Sequence, residues 1–298
     1  MVSVVINFIK GMILGIANVI PGVSAGTMAL IMGIYEKLID SISQLTKIKE
    51  LKKSTVVFLG VIALGAGCGI LAFANVMEFL LSDTFSKQLT YFVIIGLVIG
   101  SIPIIIKLHN DMKPTFSRIL ALIITTVLAV LLGSIAGNKE TVESTNVTPI
   151  LFGIFGYNGF DLGYGLWLLL CGFLASGAMV LPGISGSALM ISLGEYGNIL
   201  NVVSNRLLVQ ALFFGTGVIL GILVFTKIIA YFIRKHTSIT YYVVIGLMLS
   251  SIYQSLAQME FKFETSPTAI ISSAILLLIG IAGAYYLSTL DMKDKNAG

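Results

Sequence analysis

The chain has 298 residues, of which 57% are hydrophobic and only 11% charged, with a mean hydropathy of +1.01 and a formal net charge of +4. A water-soluble domain does not carry this much apolar sequence, so the composition predicts an integral membrane protein. The Lys and Arg residues collect in short loops between apolar runs instead of forming a stripe, which excludes a nucleic-acid partner.

Six apolar runs are long enough to cross a bilayer, which takes roughly 20 helical residues. They cover about residues 57–77, 89–106, 119–137, 207–226, 239–257 and 268–289. These six runs are the predicted transmembrane helices.

Two further apolar regions are interrupted by Pro21-Gly22 and by Pro182-Gly183. Proline removes a backbone donor and clashes with the preceding turn, so a helix should break at each site. The pieces on either side are too short to span, which predicts re-entrant helical hairpins at about residues 5–36 and 166–200.

The chain also contains an internal repeat. The Pro-Gly-Val-Ser run at Pro21 recurs as Pro-Gly-Ile-Ser at Pro182, and the Thr-Tyr-Phe-Val run at Thr90 recurs as Thr-Tyr-Tyr-Val at Thr240. Because the order is kept, we interpret the chain as one duplicated unit. The predicted parts are repeat 1 (1–140), an extracytoplasmic connecting loop (141–165), repeat 2 (166–290) and a cytoplasmic tail (291–298).

The distribution of basic residues favours hairpins that dip into the membrane and return, since cytoplasmic loops retain Lys and Arg. With Lys227 left aside, re-entrant hairpins divide these residues thirteen to four, whereas fully crossing segments divide them ten to seven. An odd number of spans per repeat inverts the second copy. The predicted fold is therefore an all-α integral membrane protein of two inverted-topology repeats, each a re-entrant helical hairpin plus three transmembrane helices, with both termini cytoplasmic.

The two helix breaks predict an anion site, because irregular backbone at membrane depth must be buried in protein or line a polar cavity. Each break opens a new half-helix whose N-H groups and dipole attract anions, with a hydroxyl alongside. The alternative is that Gly and Ser only allow the hairpins to pack closely. The candidate substrate-binding residues are Asn18, Pro21, Gly22, Ser24, Gly26, Thr27, Pro182, Gly183, Ser185, Gly186 and Ser187.

Ionisable residues in apolar sequence usually have a functional reason, because a charge there is costly. Glu195 is a stronger candidate for lining a cavity than Glu36. Glu36 adjoins Lys37, and this pair is equally consistent with a position at the membrane interface. Lys227, near the end of a span, is predicted to snorkel to the headgroups. The candidates for cavity lining or ion coupling are Glu36, Glu195, Tyr35 and Tyr196.

The sequence predicts no enzyme, metal site or cofactor, because no cluster of acid, base and nucleophile groups accompanies the breaks. Integral undecaprenyl-pyrophosphate phosphatases have similar Pro-Gly-x-Ser segments. However, the Arg that follows in those enzymes is replaced here by Ala25 and Gly186. A polyprenyl-pyrophosphate phosphatase and a small-anion channel are the alternative functions.

The run from Asn18 to Thr27, its continuation through Gly33-Ile34-Tyr35-Glu36 and the second run at Pro182 resemble the signature of the polyprenyl-phosphate transporter family (PopT). The resemblance covers essentially the whole chain. It implies a multi-pass carrier in the bacterial plasma membrane that returns undecaprenyl phosphate from the outer to the inner leaflet for cell-wall polymer synthesis. The lipid and the bilayer are then its partners, and a coupling proton or sodium ion and a homo-oligomer stay open.

Overall fold

The structure is a computed structural model that describes residues 2–19, 24–46, 51–80, 83–108, 111–137, 162–204 and 207–296. These residues form twelve α-helices, and no strand occurs among them. The helices of the first half are α1 (Val2–Val19), α2 (Ala25–Ile31), α3 (Tyr35–Gln44), α4 (Lys53–Leu80), α5 (Thr84–Leu108) and α6 (Phe116–Gly137). Those of the second half are α7 (Leu162–Val180), α8 (Gly186–Ser192), α9 (Tyr196–Ser204), α10 (Leu208–Lys235), α11 (Thr237–Gln258) and α12 (Pro267–Asn296).

The chain is a multi-pass membrane protein. Seven helices are long and apolar enough to cross a bilayer, and six of them fall on the six predicted spans. The seventh is α7, which the sequence places in the second hairpin. It runs unbroken for 19 residues before Pro182, so the prediction that the pieces beside the breaks are too short to span was wrong for this helix. The outward faces are apolar, with Leu71 82% and Leu212 68% exposed, as a lipid-facing surface requires.

The helix order repeats between the halves. The short helices α2 and α8 have 7 residues each, and the long helices α4 and α10 have 28 residues each. A glycine with positive φ lies two residues beyond the end of each short helix, Gly33 (66°) after α2 and Gly194 (77°) after α8. The predicted connecting loop lies almost entirely outside the described residues, and α12 continues into the segment predicted as a tail.

The chain folds back at each break. The ammonium of Lys10, midway along α1, donates to the carbonyl of Met32 just beyond α2 (2.8 Å). In the second half, Tyr164 and Trp167 near the start of α7 donate to Glu195, the residue before α9. In both halves the short helix therefore returns alongside the helix that precedes it.

The two halves are interlocked by glycine contacts. A Cβ at Gly96 of α5 would lie 2.2 Å from the carbonyl oxygen of Leu277 in α12, so these helices pack backbone against backbone. The Thr126 hydroxyl of α6 donates to the carbonyl of Gly246 in α11 (3.0 Å). The pairs α5 with α12 and α6 with α11 thus join different halves, whereas α1 with α4 and α7 with α10 pack within one half.

One end of the molecule is held together by polar contacts, and we call it the Arg234 end. Arg234 at the end of α10 pairs with Asp40 of α3 (2.7 Å), and the Tyr242 hydroxyl of α11 donates to the carbonyl of Met112 (3.1 Å). Asp111 pairs with Arg118 (2.6 Å), whose hydrogen bonds and charge hold the pKa of Asp111 below its ordinary value. The α3 helix, the segment before α6 and the α10–α11 corner therefore share this end.

Candidate functional site

The two helix breaks contact each other inside the molecule. The Ser24 hydroxyl donates to the carbonyl of Leu181 (3.1 Å), and the Gly183 N-H donates to the Thr27 hydroxyl (2.8 Å). A Cβ at Gly26 would lie 3.0 Å from the Pro182 nitrogen, so the backbones approach as closely as glycine allows. We call residues 24–27 and 181–187 together the paired break.

The Ser24 and Thr27 hydroxyls of the first break bond to the second break, and Ser24 does not cap its own helix α2. Ser24 is the N-cap of α2 with extended backbone (φ −103°, ψ 130°), yet its side chain makes no capping hydrogen bond. A capping serine usually accepts from an N-H of the first turn. Here Ser24 and Thr27, both buried, instead use their hydroxyls on the backbone of the second break. These two side chains therefore hold the paired break together.

The second break lies against α11. Gly183 has a φ of +83°, and its carbonyl accepts from the Gln254 amide (3.1 Å) and from the Ser250 hydroxyl (3.5 Å). The Ser185 and Ser187 hydroxyls are hydrogen-bonded to each other at 2.7 Å, and Ser185 is buried. A pair of hydroxyls is thus positioned beside the contact between the breaks.

Sequence reasoning missed Gln254 and Ser250. Both are buried, and they lie four residues apart on α11, which places them on one face of that helix. Polar side chains at this spacing in an apolar helix were the available signal. Their partner, the second break, could not be predicted from this spacing, because it depends on how α11 packs against that break.

The structure brings some of the predicted site residues together and not others. Ser24, Gly26 and Thr27 meet Pro182 and Gly183, as described above. Among the described contacts, Ser185 and Ser187 bond to each other and not to the hydroxyls of the first break. Gly186 is buried against Met179, Asn18 is exposed in the last turn of α1, and Pro21 and Gly22 lie outside the described residues.

The two glutamates have different surroundings. Glu195 is buried and accepts hydrogen bonds from the Tyr164 hydroxyl (2.9 Å), the Trp167 indole (2.9 Å) and the Asn198 amide (2.8 Å). Glu36 is half-buried and accepts from the hydroxyl of Tyr241 on α11. Glu195 thus belongs to a network within the second hairpin, whereas Glu36 links the first hairpin to the second half.

The tyrosines beside these glutamates also differ. Tyr35 is fully buried, and its hydroxyl donates to the carbonyl of Val180 at the end of α7 (3.2 Å). Tyr196 packs against the apolar cluster of Cys171, Ala175 and Met190. Tyr35 therefore adds a third hydrogen bond between the first hairpin and the second.

The arrangement offers hydroxyl and backbone groups to a ligand. Within the part of the chain that the structure describes, no group of three or more His, Cys, Asp or Glu side chains could hold a metal ion.

Residues 14–269 match the VCA0040-like family, described as undecaprenyl phosphate translocase-like. The chain belongs to this family. The family predicted from the two Pro-Gly motifs is thereby confirmed.

Two curated proteins are similar to the chain over most of its length. The polyprenyl-phosphate transporter of Vibrio cholerae is 29% identical over 83% of this chain and 75% of its own length. The polyprenyl-phosphate transporter of Staphylococcus aureus is 28% identical over 93% of both chains. Both names describe transporters rather than enzymes. No solved structure matches the chain.

Proposed function

We propose that this protein moves a polyprenyl phosphate such as undecaprenyl phosphate from the outer to the inner leaflet of the bacterial plasma membrane, so that the lipid carrier is reused in cell-wall synthesis. The single observation that carries the proposal is the contact between the two breaks, in a chain whose curated relatives are named polyprenyl-phosphate transporters. A phosphate is costly to move through hydrocarbon, and polar groups inside the protein lower that cost.

The paired break is the proposed phosphate site. The Ser185 and Ser187 hydroxyls, 2.7 Å apart, can rotate from each other toward phosphate oxygens without a change in backbone. Gln254, already hydrogen-bonded at Gly183, adds an amide to the same wall. Ser24 and Thr27 bind the second break and so fix the geometry around the ligand.

The prenyl tail has an apolar surface close to this site. A cavity of about 450 Å³ lies beside the first hairpin and is lined by residues such as Ile16, Ala17, Met28, Phe73 and Val93. Met28 follows Thr27 directly, so the cavity adjoins the paired break along α2. A tail in this cavity stays in an apolar environment while its phosphate occupies the polar break.

We also propose inverted repeats with re-entrant hairpins, at the boundaries 1–140 and 166–290, and cytoplasmic termini. Support comes from the repeated helix order, from the fold-back at each break and from the Arg234 end. If both broken segments crossed fully, Asp40 and Arg234 would lie on opposite sides of the bilayer. Their ion pair instead favours the arrangement with thirteen basic residues inside.

The test is leaflet-resolved transport of undecaprenyl phosphate in proteoliposomes, with and without a proton or sodium gradient. Ser185→Asp and Ser185→Asn form a matched pair of equal size, and Asp adds a charge that repels phosphate. We expect Asp to abolish transport, Asn to retain part of it, and Ser185→Ala to weaken binding by about 1–2 kcal/mol. Equal wild-type rates for Asp and Asn would exclude the paired break as the phosphate site.

Two further assays of the purified protein distinguish transport from the alternative functions. A phosphatase releases inorganic phosphate from a polyprenyl pyrophosphate, and a small-anion channel conducts in a planar bilayer without lipid substrate. We expect neither signal from the wild-type protein. Dependence of the transport rate on one imposed gradient identifies the coupling ion.

A further inference from the structure

A basic cavity of about 530 Å³ lies between α3 and α10 at the Arg234 end, away from the paired break. Its lining residues on α10 are Lys227, Tyr231, Arg234 and Lys235, which recur at the spacing of one helix face. Ser43 of α3 contributes a hydroxyl from the opposite wall. The site thus combines three cations, two of which form no ion pair with the residues that the structure describes.

The charge balance of the cavity is specific. Arg234 is paired with Asp40, whereas Lys227 and Lys235 have no carboxylate partner among the described residues. The Lys235 ammonium lies 5.3 Å from the centroid of the Tyr231 ring, which positions it without neutralising it. The cavity therefore holds two positive charges, those of Lys227 and Lys235, that no described carboxylate neutralises. A phosphate monoester carries about −1.5 to −2 at neutral pH, and the phosphodiester of an ordinary phospholipid carries one negative charge.

The cavity and the paired break both border one buried apolar cluster. Ala230 lines the cavity and belongs to the buried cluster that includes Ala29 of α2 and Tyr35 of α3. Leu181, whose carbonyl accepts from Ser24, packs against that same cluster. The cavity and the proposed phosphate site therefore border the same buried apolar cluster.

We propose that this cavity is a second binding site for a lipid phosphate monoester, which receives the headgroup of the transported polyprenyl phosphate at the cytoplasmic surface. Basic pockets between membrane helices on the cytoplasmic side bind phosphate headgroups of lipids. The assignment to the transported lipid rests on the proposed function. The charge balance favours a monoester over a phospholipid.

Lysine footprinting of the wild-type protein tests the site directly. Purified protein in phosphatidylcholine nanodiscs is acetylated with and without farnesyl phosphate, and the modified residues are quantified by mass spectrometry. We expect acetylation of Lys227 and Lys235 to slow at least about fivefold, with Lys113, an exposed lysine at the same end, unchanged. Unaltered acetylation of Lys227 and Lys235 overturns the site. Equal protection by phosphatidylglycerol assigns the cavity to phospholipid and overturns the monoester assignment.

Transport measured on the same preparations separates the two proposals. Lys227→Gln should slow transport about fivefold at limiting lipid, and the control Lys113→Gln should match wild type. Protection of Lys227 in a wild-type protein that transports no polyprenyl phosphate refutes the proposed function and leaves a phosphate-binding cavity. Normal transport by Lys227→Gln refutes the receiving role of the cavity.

Discussion

The hydrogen bond from the Gly183 N-H to Thr27 gives a direct test of the contact between the two breaks. Thr27 is only 2% exposed and Gly183 is buried, so bulk solvent does not reach the Gly183 amide to replace a lost acceptor. Thr27→Val keeps the volume and the β-branch but removes that acceptor. Leaving a buried donor unsatisfied costs about 1–3 kcal/mol.

The expected readout is amide hydrogen exchange at Gly183, measured by mass spectrometry in nanodiscs. A loss of about 1–3 kcal/mol corresponds to roughly five- to 150-fold faster exchange. Pro182 has no amide proton, so a short peptide across this site reports mainly on Gly183. Thr27→Ser retains the hydroxyl and should preserve slow exchange at Gly183.

The neighbouring serine provides a contrast in the same assay. Ser24→Ala leaves the Leu181 carbonyl without its donor, which costs less than an orphaned N-H because carbonyls tolerate incomplete hydrogen bonding better. We therefore expect Thr27→Val to be the more destabilising change by denaturing-detergent titration. Wild-type exchange at Gly183 in Thr27→Val would show that the two breaks do not meet through this bond.

Three further predictions concern the hairpins and their orientation. Gly183→Ala should prevent accumulation of folded protein, because its Cβ would meet the Leu247 carbonyl oxygen at 2.1 Å; Gly194→Ala, with positive φ but open space, should lose only about 1–2 kcal/mol of stability. Since the chain has a single Trp, Glu195→Leu should change its emission by removing the acceptor of the indole N-H, whereas Glu195→Gln keeps an acceptor oxygen and should preserve most of the wild-type emission; unchanged emission from Glu195→Leu would contradict the hydrogen bond. A cysteine at position 262, in a cysteine-free background, should react with an impermeant reagent in intact cells, and labelling only after permeabilisation would refute the topology.

The sequence was sufficient to predict the breaks and six of the spans, because proline and long apolar runs act locally. The interruption at Pro182 needs no knowledge of neighbouring helices. The sequence also predicted that the breaks are buried or line a polar cavity, but it did not predict that they contact each other directly. The length of α7 was predicted wrongly, because it is long enough to cross although Pro182 ends it.

The partners of individual side chains were beyond sequence reasoning, because they depend on how the helices are rotated against each other. Asn18 was predicted to bind substrate at the break, and it is exposed in the last turn of α1. Glu195 was preferred to Glu36 because Glu36 adjoins Lys37, whereas the donors to Glu195, Tyr164 and Trp167, lie about thirty residues earlier on α7. Ser24 was predicted to offer its hydroxyl to a ligand, yet it bonds to the second break.

The glycine contacts between halves set limits on how this duplicated chain moves. Gly96 in α5 and Gly280 in α12 lie backbone to backbone, and sliding them apart would open a void that no side chain fills. A movement that preserves them must carry α5 with α12. Relative motion is then expected between these mixed pairs and the hairpin pairs, so the body that contains α5 and α12 includes sequence from both copies. A single ancestral copy would have needed a second molecule to supply the other half of that body.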